Sequence, residues 1–298
     1  MHILHLINPY SSGNGSFDGR MQSLTMESMV EAKRFAKKDV QISLCYTCLE
    51  GDIVAVPSEF IQLSSLTRSI VDVHVDLNGK KLPLIQDILN KTEELGPVDY
   101  VIYTNMDIIV LPHFYSFILG KLNQHDAIVV NRRRITQKHI ESGLSEIYAD
   151  IGLSHPGFDC FVLEHSLLKS FDMGTICIGI PFLESAFTHH IAALAKSPLY
   201  VLDQHLTTHI GMEVMPKINQ SYYWSNRNEF FNTIQPRLKK EYQLAKFPYA
   251  ELPRWKRFLK WGLNPSLYTM NYLTLERKST LDYWRKVVHE MRWRFLQR

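Results

Sequence analysis

Apolar and polar positions follow two periods along residues 1–214. Short runs of β-branched and aromatic residues predict buried strands, and longer stretches with apolar residues at helical spacing predict amphipathic helices. The predicted strands are residues 2–7, 40–48, 71–77 (a short edge strand), 100–103, 108–111, 126–131, 158–163 and 200–211. The predicted helices are residues 21–37, 83–89, 114–122, 141–150 and 182–195. This order predicts an α/β domain with a doubly wound sheet.

The strand at residues 100–103 runs into a polar tip, Thr104 to Asp107, before the apolar run at 108–111. Open α/β sheets bind ligands at the carboxyl ends of such strands. Asn105 and Asp107 are two residues apart, so on an extended backbone their side chains point the same way. Oxygen ligands in this arrangement suit a hard divalent cation.

Acidic residues also follow the second predicted strand, at Glu50 and Asp52. An acid at this place in a β-α-β unit often hydrogen-bonds a ribose or base. A solvated turn explains the same two residues equally well, and the sequence leaves both interpretations open.

Three further features lie in the second half of the domain. Arg132, Arg133 and Arg134 follow a predicted strand, either as a solvated turn or as a clamp for an anionic group. Asp159 follows a Pro-Gly turn and enters an apolar strand, and a buried carboxylate requires a partner or a task. Glu184 lies in the first turn of a predicted helix, where it interacts with the helix dipole or acts as a general base.

His205 and His209 are placed four residues apart on the last predicted strand, and on an extended chain they share one side. His209 is near the end of that strand, next to Gly211. Strand histidines are usually structural, but with Asp107 available as a ligand we predict that His209 supplies an imidazole to the cation.

The composition is that of a globular protein: 298 residues, 45% hydrophobic and 21% charged, with a formal net charge of +3. This total charge does not indicate nucleic-acid binding. Four cysteines in a chain of this length predict no disulfide framework. The N-terminus lacks signal-peptide features, and no apolar run approaches the ~18 residues that a membrane span needs. We therefore expect a cytoplasmic protein.

Beyond residue 215, aromatic residues alternate with basic ones, most clearly at 254–261 and 284–298. These segments suit helices that lie on an anionic membrane surface. The alternative is a helical tail packed against the main domain. Single-stranded nucleic acid also binds Arg and Trp, but no RNA-binding motif supports that partner.

The order of these parts resembles the GT-A fold of nucleotide-sugar-dependent glycosyltransferases. Thr104 to Asp107 is similar to their Asp-x-Asp motif, although Asn105 replaces the first acid and a neutral amide lowers metal affinity. Glu184 matches their acid at a helix start, and His209 matches their late-strand histidine. The resemblance covers residues 1–212. It implies a GT-A-like catalytic domain at 1–214, with a nucleotide half at 1–112 and an acceptor half at 113–214, followed by a helical extension at 215–298.

The resemblance implies inverting transfer of a sugar from a nucleotide-sugar donor to a saccharide or lipid-linked acceptor. Asp107 and His209 would hold Mn²⁺ or Mg²⁺, Glu184 would be the base, and Asp159 would be a second base or would orient the acceptor. The donor would contact the following residues: Pro9, Glu50, Asp52, Asn105 and Arg132.

Two other functions fit parts of the pattern. A nucleotidyltransferase also uses a doubly wound sheet and metal-binding carboxylates, but no basic residue follows the first strand until Arg20. A non-catalytic module could keep a GT-A-like shape and bind a nucleotide sugar without turning it over.

Overall fold

The computed structural model describes residues 1–12, 16–36, 40–202, 204–211 and 219–263. Its strands are β1 His2–Ile7, β2 Gln41–Tyr46, β3 Phe60–Gln62, β4 Tyr100–Thr104, β5 Ile109–Val110, β6 Ala127–Ile135, β7 Leu153–Glu164, β8 Pro198–Val201 and β9 Thr207–Ile210. Its α-helices are α1 Phe17–Phe35, α2 Ile70–Val73, α3 Ile85–Asn90, α4 Phe114–Leu119, α5 Leu144–Ala149, α6 His165–Leu168, α7 Leu183–Leu194, α8 Gln220–Glu229, α9 Gln235–Leu238 and α10 Arg254–Leu263. Short 3₁₀ turns are Lys91–Leu95, Gln137–Glu141 and Leu244–Lys246, and Phe230–Ile234 forms a π turn.

The strands form a mixed sheet in the order β3-β2-β1-β4-β7-β6-β9-β5. Strands β1 to β4 run parallel, β7 is antiparallel between β4 and β6, and β9 runs parallel to β6. The carboxyl ends of β1, β2, β4, β6 and β9 therefore meet the amino end of β7 at one edge of the sheet, which we call the carboxyl edge.

The central strands are buried on both faces because their side chains alternate between two apolar layers. Val101 and Tyr103 of β4 face one layer, which α3 and α7 cover. Ile102 faces the other layer, which α1 and α4 cover. Helices on both faces of a mostly parallel sheet are the predicted doubly wound arrangement.

The described part of the predicted extension packs on the first of these layers. Phe230 stacks at a tilt on Phe182, with ring centroids 5.6 Å apart, and Phe247 meets Trp261 edge to face. The predicted packing of this segment against the main domain thus holds for part of it. The boundary at 214/215 and the basic segment at 284–298 lie outside the described residues.

Two predicted elements are wrong. The edge strand at 71–77 is replaced by α2, because the Asp72 carboxylate accepts hydrogen bonds from the Ser69 N–H and hydroxyl and caps a helix start. The single strand at 200–211 is two strands, β8 and β9, which pair with successive halves of β6. His205 lies between them and therefore does not share a strand face with His209.

No helix in the described ranges is long and apolar enough to cross a membrane.

His5 and His190 are buried in the core, and neither has a carboxylate partner in the described part of the chain. Hydrogen bonds join His5 to the Tyr115 hydroxyl at 2.7 Å and to Thr104 Oγ1 at 2.9 Å. His190 donates from Nδ1 to the Ala186 carbonyl at 2.8 Å. Burial lowers the pKa of His5 to about 3 and that of His190 to about 4, so both are neutral in the folded protein near pH 7.

We expect acid to destabilise the fold through these two residues. Both pKa values are lower in the folded than in the unfolded state, so stability is full above about pH 6.5 and falls as the pH drops toward 4. Each histidine lowers the unfolding free energy by about 2 kcal/mol between pH 7.5 and pH 5. Urea unfolding at the two pH values measures the change. In His5→Gln the difference in unfolding free energy between the two pH values is about half as large as in the parent protein. In His113→Gln, which changes an exposed position, the difference is the same as in the parent.

Candidate active site

Asp107 and His209, the two predicted metal ligands, meet at the carboxyl edge. Asp107 follows β4 and precedes β5, and β5 pairs antiparallel with β9 through Ile109 and Thr208. This register places Asp107 Oδ2 at 3.2 Å from His209 Nε2. The pairing of two short strands therefore brings together residues that are far apart in the chain.

Asp107 is held in its anionic form. Burial alone raises the pKa of this carboxyl, but the hydrogen bond with His209 and the charges of His209 and Arg132 lower it to about 2. Its second oxygen, Oδ1, is buried and has no hydrogen-bond partner in the described part of the chain. A buried carboxylate oxygen without a partner indicates a site that a ligand completes.

Arg132 and Asp159 form a buried ion pair beside Asp107. Arg132 lies inside β6, and its Nη1 is 2.7 Å from Asp159 Oδ1 on the neighbouring strand β7. The solvated-turn interpretation of Arg132 is therefore wrong, since β6 continues four residues beyond the predicted strand end. Asp159 has the partner that its burial required.

Burial and the charge of Asp107 raise the pKa of Asp159, against the opposing effect of Arg132. The three carboxylates Asp159, Asp107 and Glu184 in turn raise the pKa of Arg132, although burial lowers it. Arg132 Nε and Asp159 Oδ2 are both buried without hydrogen-bond partners among the described residues. With Asp107 Oδ1, this cluster thus offers one donor and two acceptors to a ligand.

Asn105 links the central strand to this pair. Its Nδ2 donates to Asp159 Oδ1 at 3.3 Å, and its Oδ1 accepts from the Tyr103 hydroxyl at 3.2 Å. A carboxylate at position 105 would face the carboxylate of Asp159 and could not donate. The amide therefore fits this site better than the acid of the Asp-x-Asp pattern.

Glu184 reaches the same cluster from α7. Its Oε2 accepts a hydrogen bond of 3.1 Å from the Phe158 N–H, directly beside Asp159. Gly157 permits this approach, because a Cβ there would lie 2.8 Å from Glu184 Oε2. Phe182, at the start of α7, has a φ of 84°, which is uncommon for a residue other than glycine. The first turn of α7 therefore directs Glu184 toward β7.

The predicted nucleotide-binding residues follow the carboxyl ends of β1 and β2. Asp52 Oδ1 accepts a hydrogen bond of 3.2 Å from the Ser11 N–H, which ties the two loops together. Pro9 is buried and Glu50 is exposed. Burial and the charges of Asp18 and Asp107 raise the pKa of Tyr10 to about 12. Contact of these residues with a nucleotide stays a prediction.

Tyr103 and His155 were missed as site residues by the sequence reasoning, and Arg134 was placed after the strand rather than inside it. Tyr103 orients Asn105, and His155 accepts a hydrogen bond of 2.8 Å from the Gly157 N–H through Nδ1. Arg134 is fully buried and pairs in register with His209. Burial and Arg132 lower the pKa of Arg134 to about 10. If the predicted strand had been extended through the three arginines, it would have placed Arg134 inside β6.

A divalent cation would find two protein ligands here. In the described ranges, no group of three or more His, Cys, Asp and Glu side chains could hold a metal. Mg²⁺-like ions commonly bind through one or two protein ligands and complete their shell with water and substrate phosphates. The carboxylate of Asp107, one oxygen of which has no hydrogen-bond partner within the described ranges, and the imidazole of His209 fit a cation of this kind.

Neither protein-family models nor curated proteins match the sequence. Solved structures match it in fold. Residues 1–349 of S. aureus TarS, in complex with UDP-GlcNAc, match at a TM-score of 0.50 and 10% identity, over 93% of this chain and 76% of that chain. The mannosyltransferase PcManGT from Pyrobaculum calidifontis, in complex with GDP-Man and Mn²⁺, matches at 0.50 and 13%, over 95% and 71%.

These likenesses, together with the doubly wound mixed sheet, show that the chain has a GT-A-like fold, that of nucleotide-sugar glycosyltransferases. The predicted fold class is confirmed.

We expect Arg132→Met to lower the unfolding free energy by about 3 kcal/mol at pH 7.5, because it leaves Asp159 buried without its counter-charge. The loss shrinks toward pH 5. Without Arg132 the carboxyl of Asp159 is protonated in the folded protein but ionised in the unfolded chain. Folding must then take up a proton, and the free-energy cost of that uptake falls as the pH drops. Denaturant unfolding at both pH values measures this difference.

Arg68→Met is the matched control, since Arg68 forms a two-bond pair with Asp87 at the surface. An exposed pair contributes at most about 1 kcal/mol. Equal losses in the two variants would contradict the role given to the Arg132–Asp159 pair.

Proposed function

We propose that this protein is a glycosyltransferase that moves a sugar from a nucleotide-sugar donor to a saccharide or lipid-linked acceptor, with inversion at the anomeric carbon and with the help of a divalent cation. The observation that supports this most strongly is the pair of Asp107 and His209, 3.2 Å apart at the carboxyl edge of a GT-A-like sheet. The Oδ1 of Asp107, which is buried and has no hydrogen-bond partner among the described residues, points to the same conclusion.

Asp107 and His209 are the residues that would hold the cation. A carboxylate and an imidazole favour Mn²⁺ slightly over Mg²⁺, because nitrogen ligands suit the softer ion. When bound, the cation supplies a positive charge that stabilises the departing nucleoside diphosphate.

The donor is bound by residues on both sides of the central strand. Pro9, Glu50 and Asp52 line the pocket for the nucleoside, and Asn105 would hold either the ribose or a water ligand of the cation. Arg132 has a buried Nε without a partner in the described chain, and a guanidinium of this kind suits a phosphate oxygen of the donor. Binding there also compensates the desolvation of Arg132.

The chemistry needs one base and one displacement. The acceptor hydroxyl oxygen forms a bond to the anomeric carbon as the bond from that carbon to the diphosphate oxygen breaks. Glu184 takes the proton of the acceptor hydroxyl, and the diphosphate leaves with the bonding electron pair. A single displacement of this kind inverts the anomeric configuration. Asp159 orients the acceptor or serves as a second base.

The class of acceptor rests on analogy of fold. We propose a bacterial cell-surface polysaccharide or its lipid-linked precursor, modified in the cytoplasm. The donor base and sugar are to be found by screening UDP, GDP and CDP sugars with a readout of the product anomer.

We expect Glu184→Gln to lower kcat by about 10²- to 10⁴-fold while donor affinity is kept, because only proton transfer is lost. Asp107→Ala instead weakens donor binding in the presence of Mn²⁺, since it removes a cation ligand. Sugar-nucleotide turnover and calorimetry with and without Mn²⁺ measure the two effects separately. Glu146→Gln, which changes an exposed carboxylate on α5, keeps both values.

Near-normal turnover in both Glu184→Gln and Asp107→Ala would contradict the proposed glycosyltransferase site. Donor binding without any turnover would identify a non-catalytic module instead. Consumption of nucleoside triphosphate with release of pyrophosphate would identify a nucleotidyltransferase.

A further inference from the structure

Among the residues that the structure describes, those that contact helix α10, Arg254–Leu263, lie on one side of it. The Trp261 indole N–H donates to the Pro248 carbonyl at 2.7 Å, and Trp261 is buried. Arg257 donates to the Ala250 carbonyl at 2.9 Å. The side of the helix away from these contacts faces solvent.

That outer side is apolar. Trp255, Phe258 and Leu259 are spaced at i, i+3 and i+4, so they form one stripe on the helix. Their exposed fractions are 64%, 60% and 47%. Exposed large apolar side chains scattered singly are ordinary, but a continuous stripe that includes a Trp and a Phe indicates an interaction surface.

The surroundings of the stripe are basic. Helix α10 contains four basic residues, Arg254, Lys256, Arg257 and Lys260, and no acidic one. Residues 236–263 as a whole carry eight basic and two acidic side chains. The net charge of this segment, six, exceeds the +3 of the entire chain. Arg254 and Lys256 are exposed and adjoin Trp255 in sequence, so positive charge borders the apolar stripe on the helix itself.

We propose that α10 is a membrane-docking helix that binds the surface of an anionic lipid bilayer. An aromatic stripe between basic side chains suits the boundary between headgroups and acyl chains, where the rings are inserted and the cations meet anionic headgroups. A purely apolar partner surface would offer no anionic group to Arg254 and Lys256. This inference does not depend on the proposed function.

The test is co-sedimentation of the chain of 298 residues with vesicles of phosphatidylcholine alone or mixed equally with phosphatidylglycerol, at low and at high salt. We expect binding to the mixed vesicles that weakens as salt rises. Trp255→Gln/Phe258→Gln lowers the partition coefficient at least about tenfold at either salt concentration, because inserted apolar surface is lost. Arg254→Gln/Lys256→Gln lowers it at least about tenfold at low salt and less at high salt.

The control is Val75→Gln, which changes a side chain that is 84% exposed and far from α10 in sequence; it binds like the parent chain. All substituted positions are exposed, so far-UV circular dichroism and thermal unfolding stay unchanged. Equal binding of parent and Trp255→Gln/Phe258→Gln, or equal binding to neutral and anionic vesicles, overturns the proposal. A concentration-dependent dimer that the same variant abolishes also overturns it, and would assign the stripe to a second copy of the chain.

Discussion

The candidate site depends on the electrostatic attraction between the Arg132 guanidinium and the carboxylates around it. Asp159 is almost completely buried, and the negative charges of Asp107 and Glu184 are close enough to affect the same guanidinium. Three carboxylates so close together would repel one another and be protonated in an apolar setting. A permanently charged arginine in β6 lets them share a small volume, and its cost of burial is compensated only while they are there.

The mixed strand directions of the sheet place Asp159 at the same edge as Arg132 and Asp107. Strand β7 runs against β4 and β6, so its beginning, with Gly157 and Asp159, lies beside the carboxyl ends of its neighbours. A fully parallel sheet would place the amino end of that strand at the opposite edge. Asn105 follows from the same geometry, because a residue facing Asp159 must donate a hydrogen bond, which an amide can do and a carboxylate cannot.

The helix that carries Glu184 is also supported from behind by the C-terminal segment. Phe182, at the start of α7, packs on Tyr223 and Phe230, and His189 further along α7 meets Phe230 and Phe247 edge to face. The positive φ of Phe182 is maintained by this packing. The segment after residue 219 thus contributes to the position of a candidate base, while α10 at its end remains largely in solvent.

The sequence by itself determined the parts that depend on local periodicity and on single residues. Runs of β-branched residues gave the main strands, the polar tip after β4 gave Asp107, and the helical spacing after residue 182 gave α7 with Glu184 in its first turn. Only the tertiary structure decided which of these residues meet. The contact of Asp107 with His209 depends on the register of β5 and β9, and the pairing of Arg132 with Asp159 depends on β6 continuing past its apolar residues. Strand register and strand length are set by packing across the sheet, which no local pattern records, and for the same reason one expected strand became two. The helix that replaced the expected strand at 71–77 has a local cause instead, the cap in which Asp72 accepts hydrogen bonds from Ser69.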